Sequence, residues 1–257
     1  MPSALITGGG TGIGAAIARR LAADGYQICI SGRRLEPLEA LAAELDCTYV
    51  SADTSLPADA ERAVAEAVTA FGGLDALVPC AGISRGGTVT EQTPEGWNQV
   101  IGTNLTGVFL TCRAALPQLV ERHGGIVTVA SLAALRASEE SAAYCASKAG
   151  AVMLTQCIAR DYGPLGVRAN AVCPAWTRSE MADSSMDELA GTRATDREGA
   201  YTLAHAALPT PRPAEAAEVA AVVAWLLSPE ASYINGAAIP VDGGAAIVDA
   251  ATLEFSR

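Results

Sequence analysis

The chain has 257 residues, half of them apolar and 25 of them glycine, with a formal net charge of −11. That length suits one large α/β domain or two small ones, and the apolar fraction suits a well-buried core. No apolar run approaches the ~20 residues of a membrane span, and the negative charge disfavours nucleic acid as a partner. The first residues, MPSALITGGG, carry no basic n-region and no cleavage pattern, so a cytoplasmic protein is expected. The seven cysteines form no C-x-x-C pair and the histidines are His123 and His205, so neither a metal site nor a disulfide framework is expected. Cys29, Cys112 and Cys157 lie in apolar runs and read as small core residues.

Strand-like and helix-like segments alternate from the start. ALIT reads as a strand ending in glycines, and GIGAAIARRLAADG as a helix with Ile13, Ile17 and Leu21 on one face and Gly25 at its end. YQICIS (strand), LEPLEALAAEL (helix), TYVSAD (strand), AERAVAEAVTAFGG (helix) and LDALVPCAG (strand) follow. A helix is predicted over NLTGVFLTCRAALPQLVERHG, with Leu105, Phe109, Cys112, Leu116 and Leu119 at helical spacing and Pro117 as a blemish. GIVTVAS is a strand, AYCASKAGAVMLTQCIARDYG a helix and VRANAVCP a strand. From 175 to 213 the rhythm breaks into a mixed, charged, alanine-rich stretch closed by Pro209, Pro211 and Pro213, expected to be a lid or binding loop. AEAAEVAAVVAWLL (helix) and AAIPV (strand) complete the pattern. Strands separated by helices imply βαβ units: a doubly wound, mostly parallel sheet with helices on both faces, in one domain over 1–257.

LITGGGTGIG places Gly8, Gly12 and Gly14 between the first strand and the first helix. Glycines there permit a sharp turn, and the helix N-terminus offers free N–H groups to a pyrophosphate. About 20 residues on, where a site for NAD offers an acid to the ribose, the chain reads Ser31-Gly32-Arg33-Arg34. With no carboxylate, Arg33 can meet a 2′-phosphate with its fork, so NADP(H) is favoured and NAD(H) is the alternative.

Lys148 is the chain's one lysine, against sixteen arginines, and stands four residues after Tyr144. In a helix that spacing puts both side chains on one face. An unperturbed tyrosine titrates near 10, too high for proton transfer at neutral pH. A cation about 5 Å away supplies ~3 kcal/mol at an effective dielectric of 20, or ~2 pK units of help to the phenolate. Such a tyrosine can exchange a proton with a carbonyl or alcohol oxygen.

With TGGGTGIG, YCASK and the terminal IPVDGG together, nearly the whole chain resembles a short-chain dehydrogenase/reductase of the compact type. The resemblance implies a ketone–alcohol oxidoreductase with four catalytic residues. Ser131 would hydrogen-bond the substrate oxygen, Tyr144 act as general acid in reduction, Lys148 bind the nicotinamide ribose, and Asn104 hold a proton-relaying water. On their own, Ser131 would read as a strand-end turn and Asn104 as a helix N-cap. Cofactor contacts are implied at Gly8, Thr11, Gly12, Ile13, Gly14, Arg33, Asp53, Thr54, Ala81, Gly82, Tyr144, Lys148, Pro174, Thr177 and Ser179. It also implies that helices near 104–122 and 144–162 pack across subunits in a homotetramer or homodimer.

Two departures stand out. Pro79-Cys80 occupies the place of the family's paired asparagines, so the framework there must be held differently. Pro174-Ala175 replaces Pro-Gly. A small cyclic or aryl ketone, or its alcohol, is expected as substrate at least as much as a ketoacyl thioester; acyl carrier proteins are acidic, and only Arg113, Arg122 and Arg136 offer a docking patch. Pocket walls are expected from Ile83 to Arg85, Leu132 to Leu135, Trp176, and Met181 to His205, although Trp176 and Met181 suit core positions too. Gly82-Ile83-Ser84-Arg85-Gly86 matches a hydrolase nucleophile pattern, but TVTEQTPEG begins no helix as such an elbow requires, and the base would be His205 or His123. A non-catalytic dinucleotide sensor is a further rival, against which both Tyr144 and Lys148 stand.

Overall fold

The computed structural model describes residues 1–249 and 251. Seven strands form one sheet in the order β3-β2-β1-β4-β5-β6-β7, every neighbouring pair parallel. They are β1 (Ser3–Thr7), β2 (Gln27–Gly32), β3 (Thr48–Ser51), β4 (Ala76–Pro79), β5 (Gly125–Val129), β6 (Arg168–Pro174) and β7 (Ala238–Val241). The central strands are apolar runs because both their faces are covered. Successive side chains alternate: Ile6, Ile30, Val78 and Val127 enter one core, while Leu5, Cys29, Leu77 and Ile126 enter the other.

On the first face lie α1 (Gly12–Ala23), α2 (Leu35–Leu45) and α9 (Ala216–Leu227), with Ile17 and Leu21 packed in one cluster with Val219 and Val223. On the second lie α3 (Pro57–Phe71), α5 (Gly107–Arg122) and α6 (Ala142–Tyr162), contributing Val64, Cys112, Leu119 and Ile158. Burying each such side chain is worth about 1.5–3 kcal/mol.

The structure corrects several expectations. The helix predicted from Asn104 begins earlier: α4 (Pro94–Ile101) runs through a single π-helical turn over Gly102–Thr106 into α5. Thr93 caps α4, accepting the Gly96 N–H at 3.0 Å, with Pro94 at the first helical position. Asn104 is therefore inside the π-turn and is no N-cap. Phe109, expected on the buried face, is exposed, as is Cys157, expected in the core.

The stretch 175–213 is not a loop. It folds into α7 (Glu180–Arg193) and α8 (Arg197–His205), capped by Ser179 and Asp196. Ala182, Met186 and Ala190, four residues apart, bury against Ala200 and Tyr201 in a small separate core. The face is built largely from alanine, which blurs its apolar period in the sequence. Trp176 and Met181 are both half exposed, so neither is a core residue.

Candidate active site

The strand order reverses at β1, whose two neighbours are β2 and β4. Ligands of open α/β sheets bind in the crevice beyond the strand ends at such a point. Here a crevice of about 370 Å³ is lined by the turn after β1, the start of α1 and the segment after β4.

Two glycines are required there by contact. Gly8 has φ +65°, and a Cβ on it would lie 2.8 Å from the backbone of Ala81. A Cβ on Gly14 would collide with the Gly8 carbonyl oxygen. The N-terminus of α1 carries no acidic residue in its first turn, and Gly12, Ile13 and Gly14 line the crevice. Unpaired N–H groups at a helix start with no competing carboxylate suit a pyrophosphate. The cradle thus fits a dinucleotide.

Pro79 and Cys80 do not disturb this frame. The β4–β5 pairing extends only over Ala76–Gly125 and Leu77–Ile126, so the missing Pro79 N–H breaks no rung with β5. The hydroxyl oxygen of Thr7, at the end of β1, accepts the N–H groups of Cys80 (3.1 Å) and Ala81 (3.2 Å). Thr7 thereby joins the two strand ends. Burial pushes the Cys80 thiol up to about 11, although the neighbouring Lys148 cation acts the other way.

Tyr144 and Lys148, one helical turn apart on α6, both line the crevice. Lys148 is 5 % exposed; its Nζ donates to the Val129 carbonyl at 3.0 Å and lies 5.7 Å from the centre of the Tyr144 ring. No described protein group hydrogen-bonds the Tyr144 hydroxyl. Ser131 stands two residues past the end of β5, and its Oγ accepts the Ala133 N–H at 3.1 Å. Ser131 does not itself line the crevice, although Val129 and Ala130 do.

Asn104 is fully buried. Its Oδ1 accepts the Ile83 N–H at 2.9 Å, and its Nδ2 donates to the Ile83 carbonyl (2.9 Å) and to Ser147 Oγ (3.1 Å). Through these bonds it clamps the segment after β4 to α6, the helix of Tyr144. π-Turns recur at functional sites for this kind of re-aiming.

Of the other expected cofactor residues, Thr11, Arg33, Asp53, Thr54, Ala81, Gly82 and Ser179 line the crevice, while Pro174 and Thr177 are buried and do not. Asp53 Oδ1 is held by the N–H and hydroxyl of Ser55 at 3.0 and 2.7 Å. Sequence reasoning gave no role to Thr7, Ser147, Glu180 or Arg34. The position of Thr7 at the end of the first strand was the one available signal. Arg34 donates to Thr11 Oγ1 at 3.1 Å and Glu180 Oε2 at 2.8 Å, while Arg33 has no partner among the described residues.

The hydrolase pattern has no machinery around it. Ser84 borders a second cleft, beside Arg33 and Arg85. His205 lines a different cavity, with Nδ1 bonded to the Tyr201 carbonyl, and His123 bonds the Leu165 carbonyl.

Comparison with known proteins agrees with this geometry. A family model described as enoyl-(acyl carrier protein) reductase matches residues 8–246. Meso-2,3-butanediol dehydrogenase of Serratia marcescens is 36 % identical over 248 residues, covering 95 % of this chain and 94 % of that one. A point variant of actinorhodin polyketide ketoreductase with NADPH superposes with a TM-score of 0.92 at 33 % identity, over 96 % of this chain and 98 % of that one. A 3-ketoacyl-(acyl-carrier-protein) reductase of Brucella melitensis complexed with NADH gives 0.85 at 31 % identity, over 95 % and 98 %. With the glycine cradle at the switch point and the Tyr144–Lys148 pair beside it, the chain belongs to the short-chain dehydrogenase/reductase family, as a nicotinamide-dinucleotide oxidoreductase that interconverts a ketone and a secondary alcohol.

Proposed function

We propose that Tyr144 is the general acid and base of this reaction, with NADP(H) as the preferred dinucleotide and a small ketone as substrate. The observation that carries the reading is the buried Lys148 ammonium 5.7 Å from the Tyr144 ring, in the wall of the crevice. The dinucleotide, when bound, supplies or takes up hydride at the substrate carbon. The protein's part is the proton. In reduction, Tyr144 Oη gives its proton to the carbonyl oxygen and is left as a phenolate. Lys148 holds a positive charge beside that phenolate in a poorly solvated place, where the attraction is stronger than in water. Its bond to the Val129 carbonyl fixes the ammonium, so little reorganisation accompanies the transfer. Ser131, next to the crevice-lining Ala130, would offer its hydroxyl to the substrate oxygen, and Asn104 keeps Ile83 and α6 in register; a water held near Asn104 would return the proton. Solvent then restores the Tyr144 hydroxyl.

Gly8, Gly12, Ile13 and Gly14 would hold the pyrophosphate, Asp53, Thr54, Ala81 and Gly82 the adenosine side, and Ser179, with the buried Pro174 and Thr177 behind it, the nicotinamide end. Arg33, at the crevice and without a partner among the described residues, supports the preference for a 2′-phosphate. The α7–α8 segment within 175–213 would act as the lid.

A small substrate is favoured over a carrier-bound thioester by the state of the arginines. Arg122 donates to the Gly72 carbonyl and pairs with Asp75, and Arg136 donates to the Ala245 carbonyl. Arg113 alone of the three candidates has no partner among the described residues; it lines a groove between α5 and α6. That groove, with Phe109 and Met153 exposed, supports packing of these helices across subunits in a homotetramer, or a homodimer. No described helix is long and apolar enough to cross a membrane; a cytoplasmic place belongs to the same reading.

Titration with NADPH and NADH, followed by nicotinamide fluorescence, tests the assignment. Tighter NADPH binding that weakens about tenfold or more in Arg33→Ala is expected, the size of a lost charge-assisted bond. Tighter NADH binding would overturn the preference and point to an alcohol dehydrogenase.

A further inference from the structure

The α7–α8 hairpin carries its own core of Ala182, Met186, Ala190, Ala200 and Tyr201, distinct from the two cores that sandwich the sheet. Its covalent connections to the sheet domain are the two chain segments at its base, with the exposed Arg34–Glu180 ion pair beside them at the start of α7. The two segments pair with each other: Thr177 bridges to Ala214, the Arg178 N–H donates to the Ala214 carbonyl at 2.9 Å, and the Ala214 N–H to the Trp176 carbonyl at 3.0 Å. A two-helix unit with a private core turns on such a base unless side chains fix its angle.

One side chain makes that connection from several directions. The Arg178 guanidinium donates Nη1 and Nη2 to Glu198 of α8 at 2.8 and 2.7 Å. Its Nε lies 3.4 Å from Glu215, the residue that caps α9 of the sheet domain. Its central carbon stands 4.7 Å from the centre of the Tyr201 ring, inside the hairpin core. Tyr201 in turn donates its hydroxyl to Asp183 of α7 at 2.8 Å. The planar fork engages a carboxylate in two places and stacks on a ring at once, which a lysine ammonium cannot do.

We propose that Arg178 is a positioning residue for the active-site crevice: it sets the angle of the α7–α8 hairpin against α9 and so places the crevice wall that the hairpin supplies. The proposal rests on the reading of that crevice as the dinucleotide site. The wall begins one residue away, where Ser179, Glu180 and Met181 line the crevice. Ser179 also caps α7, so a tilt of the hairpin moves its hydroxyl directly. Solvent-exposed ion pairs add little to global stability, whereas loss of placement is felt at the bound ligand, where a shift of 1 Å can cost about 100-fold in rate.

The test is NADPH binding to the full chain by nicotinamide fluorescence, with thermal midpoints measured in parallel. Arg178→Ala is expected to weaken NADPH about 5- to 20-fold while the midpoint falls by less than about 3 °C, Arg178→Lys to recover less than half of the loss, and Glu198→Gln to weaken binding about 2- to 5-fold. Wild-type NADPH affinity in Arg178→Ala and Glu198→Gln overturns this proposal alone. So does weakening that only tracks the fraction of unfolded protein, which Glu198→Gln reads even where Arg178→Ala fails to fold. If the wild-type chain binds neither NADPH nor NADH, the crevice reading falls and this proposal with it.

Discussion

Arg34 Nη2 lies 2.8 Å from Glu180 Oε2, an ion pair joining the residue before α2 to the first residue of α7 across the lining of the crevice. Both side chains are more than half exposed, so the pair is worth about 0–1 kcal/mol to the fold. Its interest lies in what it withholds. Arg34 stands next to Arg33, and Glu180 keeps one of two adjacent guanidinium groups neutralised.

Glu180→Gln should therefore leave stability within about 0.5 kcal/mol and strengthen binding of 2′,5′-ADP about 3- to 10-fold at low salt, with 5′-AMP changed less than about twofold. Calorimetric titration of the two nucleotides makes the comparison. Equal affinities in variant and wild type would mean that Arg34 stays turned from the ribose when released.

Tyr144→Phe removes the proton donor and keeps the ring. Turnover of any ketone the enzyme accepts should fall by about 100- to 10,000-fold, the range for a lost general acid, while NADPH affinity stays within about threefold. Stopped-flow kinetics with an equilibrium titration separates the two. Retained turnover would move the proton to another group.

Asn104→Leu should be among the more destabilising single changes. It leaves the half-buried Ile83 N–H and carbonyl without the partners they have at 2.9 Å, and empties the fully buried place of the Asn104 amide. The expected loss is about 2–5 kcal/mol, from two unsatisfied backbone groups, read as a lower urea midpoint at unchanged slope. A loss below about 1 kcal/mol would show that water replaces the amide there.

The thiols should separate by pH. Cys80 is pushed up to about 11, so it stays protonated and unreactive until the pH approaches that value. Cys157 is exposed on α6. Iodoacetamide at pH 8 should label Cys157 first, with Cys80 modified appreciably only above about pH 10 and more slowly under saturating NADPH. Peptide mass spectrometry reads both sites; early labelling of Cys80 would contradict the upward shift of its thiol.

What could be read in advance was local. The glycines of the first turn and the Tyr144–Lys148 spacing announce themselves because a few consecutive residues carry all of their chemistry. The alternation of strands and helices likewise led to the doubly wound sheet. The π-turn could not be seen, since one extra residue in a helical turn leaves no period of its own. Thr93-Pro94, a cap followed by proline, starts α4 inside TVTEQTPEG, a stretch read as beginning no helix. Alanine hid the hairpin, because Ala182 and Ala190 look neutral until Tyr201 is placed against them. Thr7 with Cys80, Arg34 with Glu180, and Asn104 with Ser147 join residues that only the completed fold makes neighbours.

The packing of α1 on α9 places a constraint in time. Ile17 and Leu21 share their core cluster with Val219 and Val223, which leave the ribosome about 200 residues later. At about 5–20 residues per second, the first helix waits on the order of ten seconds or more for the surface it is built to meet. Through that interval an apolar stripe and the first strands stand uncovered in a nascent chain, the condition under which a holding chaperone has most to do. The same wait means that a chain cut short before α9 should emerge as a sticky, open sheet instead of a smaller enzyme.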